Sequence, residues 1–250
     1  QIEIYKGSGG AHFGPSSIAG AINFITAINY TNSYSISGFD GRNNSVNGNY
    51  TKVTDKAWHL NINATGNQSN LGSATADGTE DDGTFNKQLN LNVEKWINDN
   101  TKVRSTFYVR ETRTYYDDMD NNGELGYVMD NTMQALQTGI DRVSQNSEDS
   151  LTFHWQAYGK DIDDGGFADS YDSQSLVARF EKEINSSEKL SFGFGSEYKY
   201  DWGSFINEGS FNSSTKGYVK DLGIFANAGY KIFDNSILSF YGRRDNHNTA

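Results

Sequence analysis

The residues best suited to chemistry are carboxylates gathered in polar stretches. Residues 115–131 hold Asp117, Asp118, Asp120, Glu124 and Asp130, and Glu80, Asp81 and Asp82 lie in the Gly-, Asp- and Asn-rich stretch 66–84. Hard cations such as Ca²⁺ take six to eight oxygen ligands at about 2.3–2.6 Å, which clustered carboxylates can supply. Solvated acidic loops have the same composition. Adjacent acids such as Asp117–Asp118 and Asp163–Asp164 raise glycoside hydrolysis, which uses two carboxylates with separated pKa values. Neither pair has an apolar surround to separate them. His12, His59, His154 and His247 fall at no metal-binding spacing, and no Gly-x-Ser-x-Gly elbow occurs. The absence of cysteine excludes disulfides, thiol catalysis and Cys-ligated zinc or Fe–S centres. No covalent chemistry is expected; the chain reads as a binding protein and not an enzyme.

The elements that position these groups alternate with a period of two. In Trp58-His59-Leu60-Asn61-Ile62-Asn63-Ala64 every second residue is apolar, as in Leu89-Asn90-Leu91-Asn92-Val93-Glu94. Val103, Ser105, Phe107 and Val109 point one way and Arg104, Thr106, Tyr108 and Arg110 the other. Such alternation makes a strand with one apolar and one polar face. Short Asn-, Asp- and Ser-rich turns are expected at 97–102, 184–189 and 233–236. Long polar loops are expected at 66–84, 115–131, 161–174 and 202–216. Val128, Thr132, Leu136, Ile140 and Val143 recur near helical spacing; the segment is read as a strand or loop-to-strand. About ten or eleven strands result.

The 250 residues are 35% hydrophobic, yet 34 are aromatic (15 Phe, 15 Tyr and 4 Trp), with 26 Gly and one Pro. Aromatic content argues against disorder, and the mixture suits strands and turns. A net charge of −11 speaks against nucleic acid, whose binding needs a basic footprint. No apolar run reaches the roughly 18–20 residues of a membrane helix. Gln1 is not a start methionine, and no leader peptide is visible.

A soluble sandwich and a lipid-facing barrel both alternate. The barrel has strands of roughly 9–11 residues, connections alternately short and long, and aromatic residues near strand ends. Segments 87–97 and 102–112, the alternating connections, and Trp58, Trp96, Trp155, Trp202, Tyr115, Tyr116, Tyr198 and Tyr200 fit the barrel. The expected fold is all-β, an antiparallel transmembrane β-barrel. Arg104, Arg110, Arg113, Arg179, Arg243 and Arg244 are candidates for its lumen, for plug carboxylates or for lipid phosphates. As single residues, solvated lumen charge is the plainer reading.

The opening segment is more specific. Ile2-Glu3-Ile4-Tyr5-Lys6-Gly7-Ser8-Gly9-Gly10-Ala11-His12-Phe13-Gly14-Pro15 and Ser16-Ser17-Ile18-Ala19-Gly20-Ala21-Ile22-Asn23-Phe24-Ile25-Thr26 resemble the end of the plug domain of TonB-dependent outer-membrane receptors. Lys6 stands where Arg is usual, Ser8 for Pro, Phe13 for Tyr and Ala21 for a second Gly. The remainder looks most like the vitamin B12 (cobalamin) branch, on Gly78–Lys87, Arg113-Thr114-Tyr115-Tyr116-Asp117, Gly217–Phe225 and Gly242-Arg243-Arg244-Asp245-Asn246. The resemblance implies that residues 1–28 end a plug and 29–250 form the first half of a barrel. That makes about ten or eleven of the family's 22 strands, with a TonB box upstream and further strands downstream. It implies import of a bulky, scarce nutrient, most like cobalamin or another corrinoid. A ferric siderophore or haem is the alternative. It also implies drive from the TonB–ExbB–ExbD complex and contact with lipid and lipopolysaccharide. By position it implies Ca²⁺ in the extracellular loops, with Glu80, Asp82, Tyr116, Asp117 and Asp130 as ligands. Glu80 replaces a usual Asp, and Asn67 and Gln68 occupy the region of a further aspartate. A passive porin or adhesin, and a soluble sugar-binding β-domain, are the readings from other classes.

Overall fold

The computed structural model describes residues 2–6, 20–24, 31–41, 43–54, 58–70, 83–117, 126–163, 168–208, 212–233 and 236–249. Two strands, β1 (Ile2–Lys6) and β2 (Gly20–Phe24), pair antiparallel with Ile2 opposite Phe24 and Lys6 opposite Gly20. The Gly-rich stretch 7–19 lies outside the described residues.

The other strands are β3 (Ser33–Phe39), β4 (Asn43–Thr54), β5 (Trp58–Asn70), β6 (Gly83–Asn98), β7 (Thr101–Asp117) and β8 (Gly126–Val143). They continue with β9 (Ser147–Asp163), β10 (Ala168–Asn185), β11 (Leu190–Glu208), β12 (Ser213–Phe233) and β13 (Ser236–Thr249). These form one 11-stranded antiparallel sheet in which each strand pairs with its neighbours in sequence. The count meets the expectation. Antiparallel neighbours need only a turn between them, so the chain zigzags without crossovers.

Side chains close the short turns. The Asn100 N–H donates to Asn98 Oδ1 at 2.9 Å. The Ser147 N–H donates to Ser144 Oγ at 3.2 Å, and the Lys189 N–H donates to Ser187 Oγ at 3.3 Å. In each, a short polar side chain supplies the acceptor that the bend removes from the ladder.

The strands are longer than expected. β6 has 16 residues, β7 has 17 and β12 has 21. Much of the expected long loops 115–131, 161–174 and 202–216 is strand, and in 66–84 residues 71–82 lie outside the described residues. Asp117 pairs with Gly126, Asp163 with Ala168, and Asn207 with Ser213. Backbone N–H and C=O groups satisfy each other whatever side chains they carry. Composition marked where the apolar alternation stops, and pairing continues past that point. The segment of uncertain type is strand β8 throughout. Val128, Thr132, Leu136 and Ile140 are four apart, which is also two strand repeats, so they share a face. Trp58 begins β5 and Trp96 lies near the end of β6. Trp155, Trp202, Tyr198 and Tyr200 fall well inside longer strands than expected.

Register divides the sheet into two faces. Leu91, Phe107, Leu136, Trp155, Leu176 and Tyr200 lie on one face, linked across six strands by direct pairing. The next row on the opposite face is Asn92, Thr106, Gln137, His154, Val177 and Lys199 by the same registers. Among the described residues no hydrophobic side chain is buried. The buried ones are Thr51, His59, Glu94 and Asp221, all on the polar face. Leu136, Ile140, Phe153, Phe194, Leu222 and Ile224 stand exposed on the apolar face.

Glycines allow close approach on the polar face. A Cβ at Gly195 would overlap both the Phe180 carbonyl oxygen and the Phe225 ring, whereas one at Gly242 meets nothing within 4 Å. The Phe180 carbonyl belongs to the ladder and cannot yield without breaking pairing. Gly195→Ala is therefore expected to cost about 1–3 kcal/mol through overpacking. Gly242→Ala should change stability by less than about 0.5 kcal/mol. Denaturant midpoints of the two folded variants check this contrast.

Candidate functional site

Two features of the polar face combine groups able to bind or hold a partner. The first lies near the long-hairpin end, where Asn131, Lys160, Tyr171 and Phe205 follow one another across β8 to β11 in register. The Tyr171 and Phe205 rings stack with centroids 4.5 Å apart, and Lys160 Nζ lies 5.6 Å from the Tyr171 centroid. Nearby, the Tyr158 hydroxyl donates to Asn131 Oδ1 at 2.8 Å. Directly opposed rings on adjacent strands form a rigid apolar shelf with a cation at its edge. Tyr171 and Phe205 fall in the stretches 161–174 and 202–216 expected as loops. Loop assignment hid their pairing, because both belong to extended strands.

The second feature ties β10 to β13. Glu197 accepts from two arginines, Arg179 Nη1 at 3.0 Å and Arg243 Nη2 at 2.8 Å. Arg179 also donates to Glu181 at 2.6 Å, and Arg243 to Asp245 at 2.8 Å. The Phe225 ring lies 4.8 Å from one guanidinium and 5.6 Å from the other. The Arg243 side chain is only 4% exposed. Gly195 and Gly223 leave the space that Phe225, Arg243 and Asp245 fill. A smaller cluster pairs Arg104 with Asp141 at 2.8 Å, with Ser150 donating to the same carboxylate. Beyond the smaller cluster, from β7 back to β4, run Asn and Thr bonds such as Thr106 to Asn92 and Asn61 to Thr51. Arg104, Arg110, Arg179 and Arg243 lie on the polar face as expected for lumen arginines. Arg113 and Arg244 lie on the other face, because each is an even number of residues from its strand's apolar row.

Of the expected cation ligands, Glu80 and Asp82 lie outside the described residues, as do the side chains of Tyr116 and Asp117. The backbones of Tyr116 and Asp117 pair with Tyr127 and Gly126 at the end of β7. Asp130 sits opposite Arg113, which donates to both carboxylate oxygens at 2.7 Å. Asp130 as folded therefore offers a cation no oxygen free of a competing charge. Among the described residues no group of three or more acids or histidines could hold a metal ion.

Hydrogen bonds from Arg113 hold the Asp130 carboxyl below its ordinary value of 3.8, against an opposing effect of partial burial. A depressed carboxylate stabilises the fold above its unfolded pKa and loses that contribution as pH falls through the folded value. Arg113→Ala is thus expected to lower the denaturation midpoint slightly at neutral pH. The difference from wild type should vanish in acid once Asp130 is protonated. Denaturation curves across that range check it; a constant difference at all pH values would refute the pairing.

No protein-family model and no curated protein sequence matches the chain. Solved structures do. The ferric-catecholate import receptor Fiu from E. coli K12, in its open form, matches 99% of this chain over 49% of its own, with TM-score 0.76 and 11% identity. The ferripyoverdine receptor of the Pseudomonas aeruginosa outer membrane matches 100% over 42%, with TM-score 0.76 and 10% identity. The ferric yersiniabactin uptake receptor FyuA from Yersinia pestis matches 99% over 48%, with TM-score 0.73 and 13% identity. The chain thus spans about half the length of the structures it resembles. At such identities the likeness is one of fold: an antiparallel sheet of the kind that forms the wall of an outer-membrane receptor barrel.

Proposed function

We propose, from this shared fold, that the chain is the barrel wall and plug end of a TonB-dependent outer-membrane receptor that imports a bulky, scarce nutrient. The observation that carries the reading is the inverted burial: large apolar side chains stand exposed on all eleven strands, and the side chains buried among the described residues are the polar Thr51, His59, Glu94 and Asp221. In water such a sheet would expose its whole apolar surface. In a bilayer that face meets hydrocarbon, and the polar face lines the lumen. The opening segment resembles a plug, which a passive porin would not carry. The short turns would then face the periplasm and the long hairpins the outside. Ligand bound outside would shift the plug, and the TonB–ExbB–ExbD complex would supply the force to open a path. No covalent step is involved.

The Tyr171–Phe205 shelf is the proposed ligand contact. The cargo proposed is the corrinoid implied by the sequence resemblance, with a ferric chelate as the alternative. Calcium in the outer loops is a separate proposal. Because Arg113 holds Asp130, an ion using Asp130 would have to displace it, and Arg113→Ala should tighten calcium binding measured by titration.

The test is calorimetric binding of cyanocobalamin and of ferric catecholate to the full-length protein in detergent, with wild type and Phe205→Ala. One ring contact is worth about 1 kcal/mol, so the variant should bind its cargo roughly fivefold more weakly. Binding of neither compound, together with a monomeric protein in detergent-free buffer, would overturn the receptor reading.

A further inference from the structure

We propose that the short-turn end of the apolar face is a belt that binds the phosphates of anionic phospholipids, a site that rests on the membrane reading above. Each strand running toward the short turns from β4 to β10 carries one base near its end: Lys52 on β4, Lys95 on β6, Arg142 on β8 and Lys182 on β10. All four lie on the apolar face. Lys52 shares its side with Tyr50, Lys95 with Val93, Arg142 with Ile140, and Lys182 with Phe180. Each is within three residues of its strand's last residue, and ends at Thr54, Asn98, Val143 and Asn185 set that level.

Alternate strands lie about 10 Å apart, roughly one lipid's width. Arg142 and Lys182 share one register row through Asp149, Lys95 steps two residues from it and Lys52 two more, all near the end of the apolar stripe, with Ile97 and Ile184 beyond Lys95 and Lys182. The chain as a whole is acidic, at −11, yet among the described residues this belt holds four bases and one acid, Asp149. Lys182 pairs with that acid at 2.7 Å. No ion pair engages Lys52, Lys95 or Arg142 among the described residues. Lys95 Nζ sits 4.6 Å from the centroid of Trp58, itself 42% exposed. A tryptophan beside an ammonium at the edge of an apolar band suits the headgroup level. Charge complementarity thus points to a phosphodiester carrying net negative charge and not to a zwitterionic headgroup.

The opposite end of the same face differs. There Arg113 and Asp130 neutralise one another, Lys87 lies opposite Glu111, and Asp161, Asp163 and Asp172 add further acid. The face is therefore polarised, with its basic end toward the short turns. A periplasmic leaflet containing phosphatidylglycerol is the committed partner; lipid A phosphates share the chemistry but occupy the other leaflet.

The experiment folds the full-length protein into vesicles of phosphatidylcholine mixed with phosphatidylglycerol, extracts it, and counts retained lipid by native mass spectrometry. Wild type is expected to retain phosphatidylglycerol over phosphatidylcholine by roughly tenfold, since each base near an anionic surface contributes about fivefold and screening reduces the sum. High salt during extraction should erase the preference. Lys52→Gln, Lys95→Gln and Arg142→Gln together should abolish it without preventing insertion, and Lys52→Arg with Lys95→Arg should preserve it. A folded, inserted wild type that retains both lipids equally overturns the belt alone. So does lipid A displacing phosphatidylglycerol with sensitivity to the same three substitutions. Failure to insert into vesicles of any composition overturns the membrane reading instead.

Discussion

Leu136→Arg is expected to lower the stability of the folded, lipid-inserted protein by about 2–4 kcal/mol, the cost of a cation near the bilayer midplane on a barrel's outer face. On β8 the apolar face is bounded by Arg142 at one end and Asp130 at the other, and Leu136 is midway between them. It is 40% exposed and pairs with Phe107 and Trp155, so it has no interior to retreat into. Gln137→Arg moves the same charge by one residue onto the polar face and should cost less than about 1 kcal/mol. Urea titration in lipid vesicles, followed by tryptophan fluorescence, measures both. Equal costs at the two positions would mean that the alternation does not separate lipid from lumen.

Removal of Arg243 should be as damaging for the opposite reason. The guanidinium is almost wholly covered, and it bonds Glu197 and Asp245 at 2.8 Å each. Taking one partner from a buried charge network typically costs about 3–5 kcal/mol, because the remaining charges are left uncompensated. Arg243→Ala leaves Asp245 without that partner and Glu197 with Arg179 alone. The Arg243→Ala and Glu197→Ala double variant should be less destabilised than the sum of the singles, since the two residues share one interaction. A complete double-mutant cycle by denaturant midpoint checks this. Additive losses would show the pair to be independent. The cluster links β10, β11 and β13 on the lumen side of the wall, and its loss should also loosen the close packing around Gly195 and Phe225.

The sequence by itself determined the strands, their two faces and the turns at 97–102 and 184–189. A period of two places every second residue on one side regardless of what lies nearby, and Asn98 and Ser187 carry the acceptors for their own bends. It also exposed the acidic stretches at one end and the opening segment's likeness to a plug. Three things were decided only in the folded sheet. Strand ends lie well inside the polar stretches, because backbone pairing does not depend on apolar side chains. The partners of the charged groups depend on register. Arg243 and Glu197 are 46 residues apart, and Arg113 meets Asp130 only because β7 and β8 pair up to Asp117 and Gly126. The gathering of Lys52, Lys95, Arg142 and Lys182 at one end of the sheet likewise follows from where four separate strands end. Alternation assigns a side chain to a face, whereas its level and its neighbours are set by how far each ladder runs and by the turns that offset one strand against the next.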